Sequence, residues 1–498
     1  MPASTIPILD FSAGVNPDQT KTVGFSSMYC LDPHTTPGVL RVNNKMTNDD
    51  DSAITDLVTC FDAYDGNASI SAALFAYDDT GELFYRVSNV WTSVHTNASG
   101  GAGNFIKAFQ TSLYYTWSTS GRLGKLTGDP TVGGNYTDSF KNLAAGGSSG
   151  DYYPMEVFAG SLYVGSGRYV GKLESDETTF TSAALTLAIG YEVQSMAVWN
   201  DRLCLGTVSG NKTVSEMIAF WDGVSDFPEQ IIEVPKPGAS ALFNFDNTLY
   251  AFVGAQVYYF TGSEFKVAFQ LPKFFDGLTN DKVKVRPGAV CLFNNQMLFG
   301  TACPSSQALS VFRSGIWSWG SHSEAFAKLL MFAFEGSVGS TPTSLVECGA
   351  LKTFGSSNDK QILYSSFESS ASSGIDLISY TLRNPSSSYL LTEAYTVGGV
   401  FGKLLKGVRF EFAKDMNTTQ ATNKVVVKYR ADEDIDPNDD TTNFTTLGTI
   451  DNDTAGNNNQ NDLLYGIYQR VKKIQFRFEF TASTSSTQGP EITGIYIY

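Results

Sequence analysis

The chain has 498 residues and a formal net charge of −16, with 42% hydrophobic, 13% aromatic and 17% charged residues. That length holds roughly two to four domains of about 100–200 residues. The Phe-, Tyr- and Gly-rich palette suits short twisted strands and tight turns, and it excludes a coiled coil, a helical solenoid and a disordered chain.

The acidic balance, with Lys472-Lys473 as the longest basic run, argues against a generic nucleic-acid binder. No run of about 18 apolar residues offers a membrane-spanning helix. Residues 1–45 carry scattered prolines (Pro2, Pro7, Pro17, Pro33, Pro37) and little alternation. They read as an extended N-terminal arm, with neither the basic nor the apolar region of a signal peptide. Asn48 to Asp51 reads as a solvated acidic turn.

A weak repeat follows, in which an apolar run meets a polar turn and a second run opens with Leu-aromatic or its equivalent. Copies are Ala108 to Tyr115, Val157 to Gly165, Val198 to Gly206, Leu242 to Tyr250 and Leu292 to Gly300. Their anchors, Leu113, Leu162, Leu203, Leu249 and Met297, are spaced by 49, 41, 46 and 48 residues. Each copy is predicted to be a β-hairpin, because Ala159-Gly160, Asn200-Asp201 and Asn294-Asn295 tolerate the positive φ of a two-residue turn. A second hairpin follows in most copies, turning at Asp222-Gly223, Thr261-Gly262-Ser263 or Ser314-Gly315. Two hairpins make a four-stranded unit the size of a propeller blade. Leu74 to Tyr85 extends the grammar upstream, and Ser344-Leu345-Val346 continues it downstream in register with Met297. The expected fold is all-β: a β-propeller of six or seven blades over residues 46–388, and an antiparallel β-sandwich over 389–498. Ser366 to Ser373 reads as a loop and 383–389 as a linker. In the sandwich, Val408 to Phe412, Lys424 to Arg430, Lys473 to Phe480 and Ile492 to Tyr498 read as strands.

The chemistry-bearing residues are few. His34, His95 and His322 stand isolated among polar or turn residues, against a His-rich metal site or a Ser-His-Asp triad. Cys30, Cys60, Cys204, Cys291, Cys303 and Cys348 are scattered, and Cys204 and Cys291 read as core residues. The loop 432–440 has a calcium-like Asp434-x-Asp436-x-Asn438, but Asp439 stands where a calcium loop turns on glycine. No catalytic, cofactor-binding or metal-ligating residue is expected, and no cofactor.

Two stretches carry a family likeness. One is Leu31-Asp32-Pro33 followed by Thr36-Pro37-Gly38-Val39-Leu40-Arg41-Val42. The other is the terminal module: Gly407-Val-Arg-Phe-Glu-Phe412, Val425-Val-Val-Lys-Tyr-Arg430, Gln469-Arg-Val-Lys-Lys-Ile474 and Gly489-Pro-Glu-Ile-Thr-Gly-Ile495. With the repeats between them, the chain resembles tail and virion structural proteins of tailed bacteriophages, similar to tail nozzle or hub components. The resemblance implies a noncatalytic building block of the virion tail. It implies a homo-oligomeric ring beside adaptor or other tail proteins, without sequence-specific nucleic-acid binding or membrane insertion. In that setting the net negative charge would line a DNA ejection path, and the N-terminal arm would dock on a neighbouring subunit. The alternative is a receptor- or carbohydrate-binding virion protein using the same modules for recognition; a glycoside-cleaving enzyme is the third reading.

Overall fold

The structure is a computed structural model. It describes residues 6–9, 11, 25–36, 38–50, 53–97, 103–117, 121–144, 153–209, 215–271, 285–301, 315–320, 329–334, 346–357, 359–369, 372–383, 388–397, 403–404, 407–413, 423–435, 442–451, 470–482 and 489–498. The described elements are strands apart from short 3-10 turns such as Gly133–Asn135. The chain divides into two compact units: residues 48–307 with 344–377, and residues 1–47 with 308–343 and 378–498.

The first unit is a β-propeller. Its seven inner strands, among the described residues, are Val58–Tyr64, Gly103–Phe109, Met155–Phe158, Tyr191–Trp199, Ala241–Phe245, Val290–Phe293 and Val346–Ser357. Each touches the next, and the seventh touches the first, so the ring is closed. Blades 1 to 5 (residues 58–96, 103–142, 155–186, 191–234 and 241–270) are four-stranded antiparallel meanders. Blade 6 has Val290–Phe293 paired with Gln296–Gly300 in this unit. In blade 7, Val346–Ser357, Lys360–Ser369, Ser373–Arg383 and Asn44–Asp50 follow one another in the sheet.

Local chemistry explains the meanders. Ala159-Gly160, Asn200-Asp201, Asp246-Asn247 and Asn294-Asn295 all take positive φ at both turn positions. That is the twist-matching hairpin turn that short polar residues and glycine favour. The second strands, such as Ser112–Trp117 and Ser161–Ser166, bury both faces because each blade packs against two neighbours, while outer strands such as Tyr136–Asn142 stay partly exposed. Leu113 of blade 2 lies in one core with Tyr64 and Phe75 of blade 1. Leu162 and Val164 of blade 3 lie in another with Phe109 and Tyr114 of blade 2. Leu249 and Phe260 of blade 5 pack with Cys204 and Phe220 of blade 4. Each fully buried side chain of this kind contributes about 1.5–3 kcal/mol. Cys204 and Cys291 are buried as expected, and burial pushes both thiols up to about 12.

The second unit is a two-sheet sandwich. One sheet runs Leu31–Asp32, Leu40–Val42, Glu491–Ile497, Ile6–Ile8, with Val408–Phe412 also on Glu491–Ile497. The other runs, within this unit, Ile316–Gly320, Leu329–Phe334, Phe25–Tyr29, Ser388–Thr392, Lys473–Thr481, Lys424–Ala431, Thr445–Asp451. Phe410 of the first sheet meets Phe478 of the second edge-on, with ring centroids 5.4 Å apart. The other face of Lys473–Thr481 is covered too. Arg477 lies 3.9 Å over the Tyr389 ring, and Arg430 donates to Gln475 Oε1 at 2.8 Å.

Several expectations are corrected. Asn48 to Asp50 is not a solvated turn but the end of strand Asn44–Asp50, where the Asp49 carboxylate accepts from the Arg86 guanidinium and the Trp91 indole. Ser388 and Tyr389 of the expected linker open the strand Ser388–Thr392. Residues 1–45 are not a free arm: Phe25–Tyr29 pairs antiparallel with Ser388–Thr392, and Ile6–Ile8 with Ile495–Ile497. These described strands are therefore parts of sheets within the chain. The boundaries 45 and 388 are not the division either, since residues 308–343 belong with the two ends of the chain. Ser366 to Ser369 is strand rather than loop, and Val346 opens the inner strand of blade 7, one strand earlier than its register with Met297 implies. The Asp32-Pro33 phrase is a capped turn. Asp32 accepts from the His34 and Thr35 N–H groups, from Thr35 Oγ1 and from Arg41.

Candidate functional site

The inner strands of blades 1 to 5 bring one side chain each to the same register position, two residues before the strand's last pair. Asp62 stands opposite Phe75, Lys107 opposite Tyr114, Glu156 opposite Tyr163, Ala197 opposite Cys204 and Phe243 opposite Tyr250. With Lys352 of blade 7 they line an axial cavity of about 380 Å³.

Half of this wall is charged and half apolar. Lys352 Nζ lies 2.8 Å from Asp62 Oδ1, and Asp62 Oδ2 accepts the Ala108 N–H at 2.7 Å. Lys107 Nζ lies 2.8 Å from Glu156 Oε1, which also accepts the Val157 N–H at 3.0 Å. Around the ring the charges therefore alternate: positive in blade 7, negative in blade 1, positive in blade 2, negative in blade 3. Ala197, Phe243 and Val290 complete the circle. Burial pulls the Lys107 pKa down, but the Glu156 and Asp62 carboxylates outweigh it and hold the group above its ordinary value. Lys107 is a fixed cation, unsuited to act as a general base at neutral pH. Cys60 lines the same cavity, but burial pushes its thiol up to about 12 and it points a weak hydrogen bond at Ile106 O. It is not a thiolate nucleophile.

A second polar cluster was missed by the sequence reading, which took His95 as isolated. His95 Nε2 lies 2.7 Å from Asp138 Oδ1, and the Tyr115 hydroxyl donates to the same oxygen at 2.6 Å. The imidazole stacks on Tyr136, with centroids 4.1 Å apart. The cluster joins the outer strands of blades 1 and 2, Val90–Thr96 and Tyr136–Asn142. Its signal was present in the repeat itself: His95 and Asp138 are 43 residues apart, close to one period. Desolvation, then the Asp138 hydrogen bond, push the Tyr115 phenol up, so it stays a donor.

His322, Cys303 and Asp436 to Asp440 lie outside the described residues. Asp432, at the start of the acidic loop, accepts the Lys472 and Lys473 N–H groups at 2.8 Å each, a turn-closing role. Among the described residues, no group of three or more His, Cys, Asp or Glu is arranged to hold a metal ion.

No protein-family model and no curated protein matches the chain. Solved structures do. The chain is similar to the N-terminal domain of BBS1 solved in complex with ARL6 (11% identity, 68% of this chain, 97% of that chain, TM-score 0.46). It is similar to the N-terminal domain of Nup159 (9% identity, 71% of this chain, 98% of that chain, TM-score 0.40). It is also similar to the extracellular domain of the putative one component system BT4673 from B. thetaiotaomicron (11% identity, 74% of this chain, TM-score 0.45), of whose chain it spans 44%.

Proposed function

We propose that this chain is a noncatalytic structural component of a bacteriophage tail, of the nozzle, hub or ring kind, held by its neighbours through broad protein–protein interfaces. The observation that carries this reading is the placement of exposed apolar side chains on the propeller. In an antiparallel four-stranded blade the turn between the third and fourth strands always falls on the same side of the ring. On those turns stand Val87 and Val90 of blade 1, Val132 of blade 2, and Val224 and Phe227 of blade 4. Val224 is 79% and Phe227 76% exposed. Single exposed apolar residues, such as Ile189 between blades 3 and 4, are ordinary, but their recurrence at this turn in three of the five four-stranded meanders suits an association surface.

The blade 4 turn is also held firmly. Asp222 accepts the N–H groups of Val224 and Ser225 at 2.9 and 2.8 Å and the Ser225 hydroxyl at 2.6 Å. The Trp221 indole donates to Ser225 O at 2.7 Å. A fixed turn loses little conformational entropy when a partner covers it.

On this reading the DNA path runs past the propeller and not along its axis. The axial wall pairs two cations with two anions, and about 380 Å³ has no room for a duplex whose major groove alone is about 12 Å wide. The test is native mass measurement and electron microscopy of the full chain, alone and in purified virions. A closed ring of copies, or density for the propeller in a tail, is the expected result. A chain that stays monomeric at every concentration and is missing from particles overturns the reading.

A further inference from the structure

We infer that the axial cavity of the propeller binds a small amphipathic zwitterion: a free amino acid with an apolar side chain. This goes beyond the assembly reading and does not depend on it. A cavity of about 380 Å³ falls within the range of small-molecule sites, about 300–1,000 Å³.

The charged half of the wall keeps hydrogen-bonding capacity in reserve. An ammonium has three donors. Among the described residues, the side chain of Lys107 makes one hydrogen bond, to Glu156 Oε1, and that of Lys352 makes one, to Asp62 Oδ1. Among the same residues Glu156 Oε2 accepts none, both bonds to this carboxylate falling on Oε1. These groups are not sealed: their side chains are between 13% (Asp62) and 34% (Lys352) exposed. A ligand that uses the spare donors and the open carboxylate oxygen leaves both ion pairs in place.

The alternation of sign sets the ligand's chemistry. A carboxylate placed against the free donors of Lys107 lies next to the free Glu156 oxygen, which calls for an ammonium within the same small molecule. An ion of one sign would satisfy one side and crowd the other. The opposite wall, with Ala197, Phe243 and Val290, asks for an apolar group.

The test is isothermal titration calorimetry of the full chain with L-phenylalanine as probe, beside three analogues. These are 2-phenylethylamine (ammonium alone), 3-phenylpropionate (carboxylate alone) and glycine (no apolar group). Saturable one-to-one binding of L-phenylalanine is expected, with each analogue weaker by about fivefold or more. No saturable heat up to roughly 10 mM L-phenylalanine, or any analogue bound within about fivefold of it, overturns the inference. Glu156→Gln is expected to weaken L-phenylalanine binding by about tenfold; unchanged affinity in the folded variant puts the ligand elsewhere and overturns it. Should that variant not fold, the analogue series on the native chain decides.

Discussion

Glu177 of blade 3 accepts a hydrogen bond from the Tyr114 hydroxyl of blade 2 at 3.1 Å. The same carboxylate takes the Ser112 hydroxyl at 2.8 Å, the Thr111 N–H at 2.6 Å and hydroxyl at 2.7 Å, and the Lys125 ammonium at 2.8 Å. Glu177 reaches them from a backbone with φ of 54°, a left-handed conformation rare for glutamate. One side chain thus satisfies the first hairpin of the preceding blade.

Glu177→Gln is therefore expected to destabilise the chain by about 2 kcal/mol at pH 7. Burial works to raise the Glu177 pKa, but Lys125, Thr111 and Ser112 outweigh it and bring it down to about 2. The folded value lies below the unfolded one of about 4.3. The stabilisation is fully present above that value and is lost as pH falls towards 2. Urea unfolding of both proteins at pH 7 and at low pH checks this: the gap between them must shrink with acid.

Glu216 has the opposite sign. It is 2% exposed at the start of Glu216–Trp221, and its Oε2 has no hydrogen-bond partner among the described residues. Burial raises its pKa to about 7, against the opposing pull of Lys236 and the Ser209 N–H. Above the unfolded value of about 4.3 its ionisation is a growing penalty that levels off above pH 7. Relative to wild type, Glu216→Gln is expected to gain about 2 kcal/mol between pH 4 and pH 8. Denaturant midpoints across that window report the difference; a flat difference contradicts it.

Leu162 and Leu249, two of the repeat anchors, are fully buried in the cores between blades. Truncating either to alanine is expected to cost about 2–5 kcal/mol, the spread reflecting how far each cavity collapses. Equilibrium denaturation measures it, and a loss below about 0.5 kcal/mol, the range of ordinary surface changes, would remove the residue from the core.

Phe227→Asp separates folding from assembly. The side chain is 76% exposed, so monomer stability is expected to move by no more than about 0.5 kcal/mol. Ring formation, read by native mass, is expected to weaken by at least about tenfold. Unchanged assembly would clear this turn of any role in the interface.

The propeller was legible in the sequence because its information is local. Turn pairs such as Asn200-Asp201 and the alternation beside them fall within ten residues, and the period of 41 to 49 announced the blades. The same period held part of the axial site in plain view. Lys107 and Glu156 are 49 residues apart, as Leu113 and Leu162 are, so the ion pair is one repeat step between adjacent blades. The His95–Asp138 contact follows the same rule and was overlooked because histidines were judged by their sequence neighbours. The sandwich was legible only from Val408 onwards. Phe25–Tyr29 finds Ser388–Thr392 antiparallel and, at Tyr29, Phe332 parallel, across hundreds of residues. No short-range pattern encodes such partners, and prolines such as Pro7, which sits in the edge strand Ile6–Ile8, made the segment look unstructured.

The pairing of Ile6 with Ile497 has a consequence for synthesis. At about 5–20 residues per second on the ribosome, the strand Ile6–Ile8 leaves the tunnel on the order of half a minute or more before its partner Ile495–Ile497 exists. During that interval the blades can form one after another from neighbours already made, while the apolar edge of the first strand waits uncovered. A nascent chain stalled inside the propeller would carry several finished hairpin stacks and an unclasped beginning.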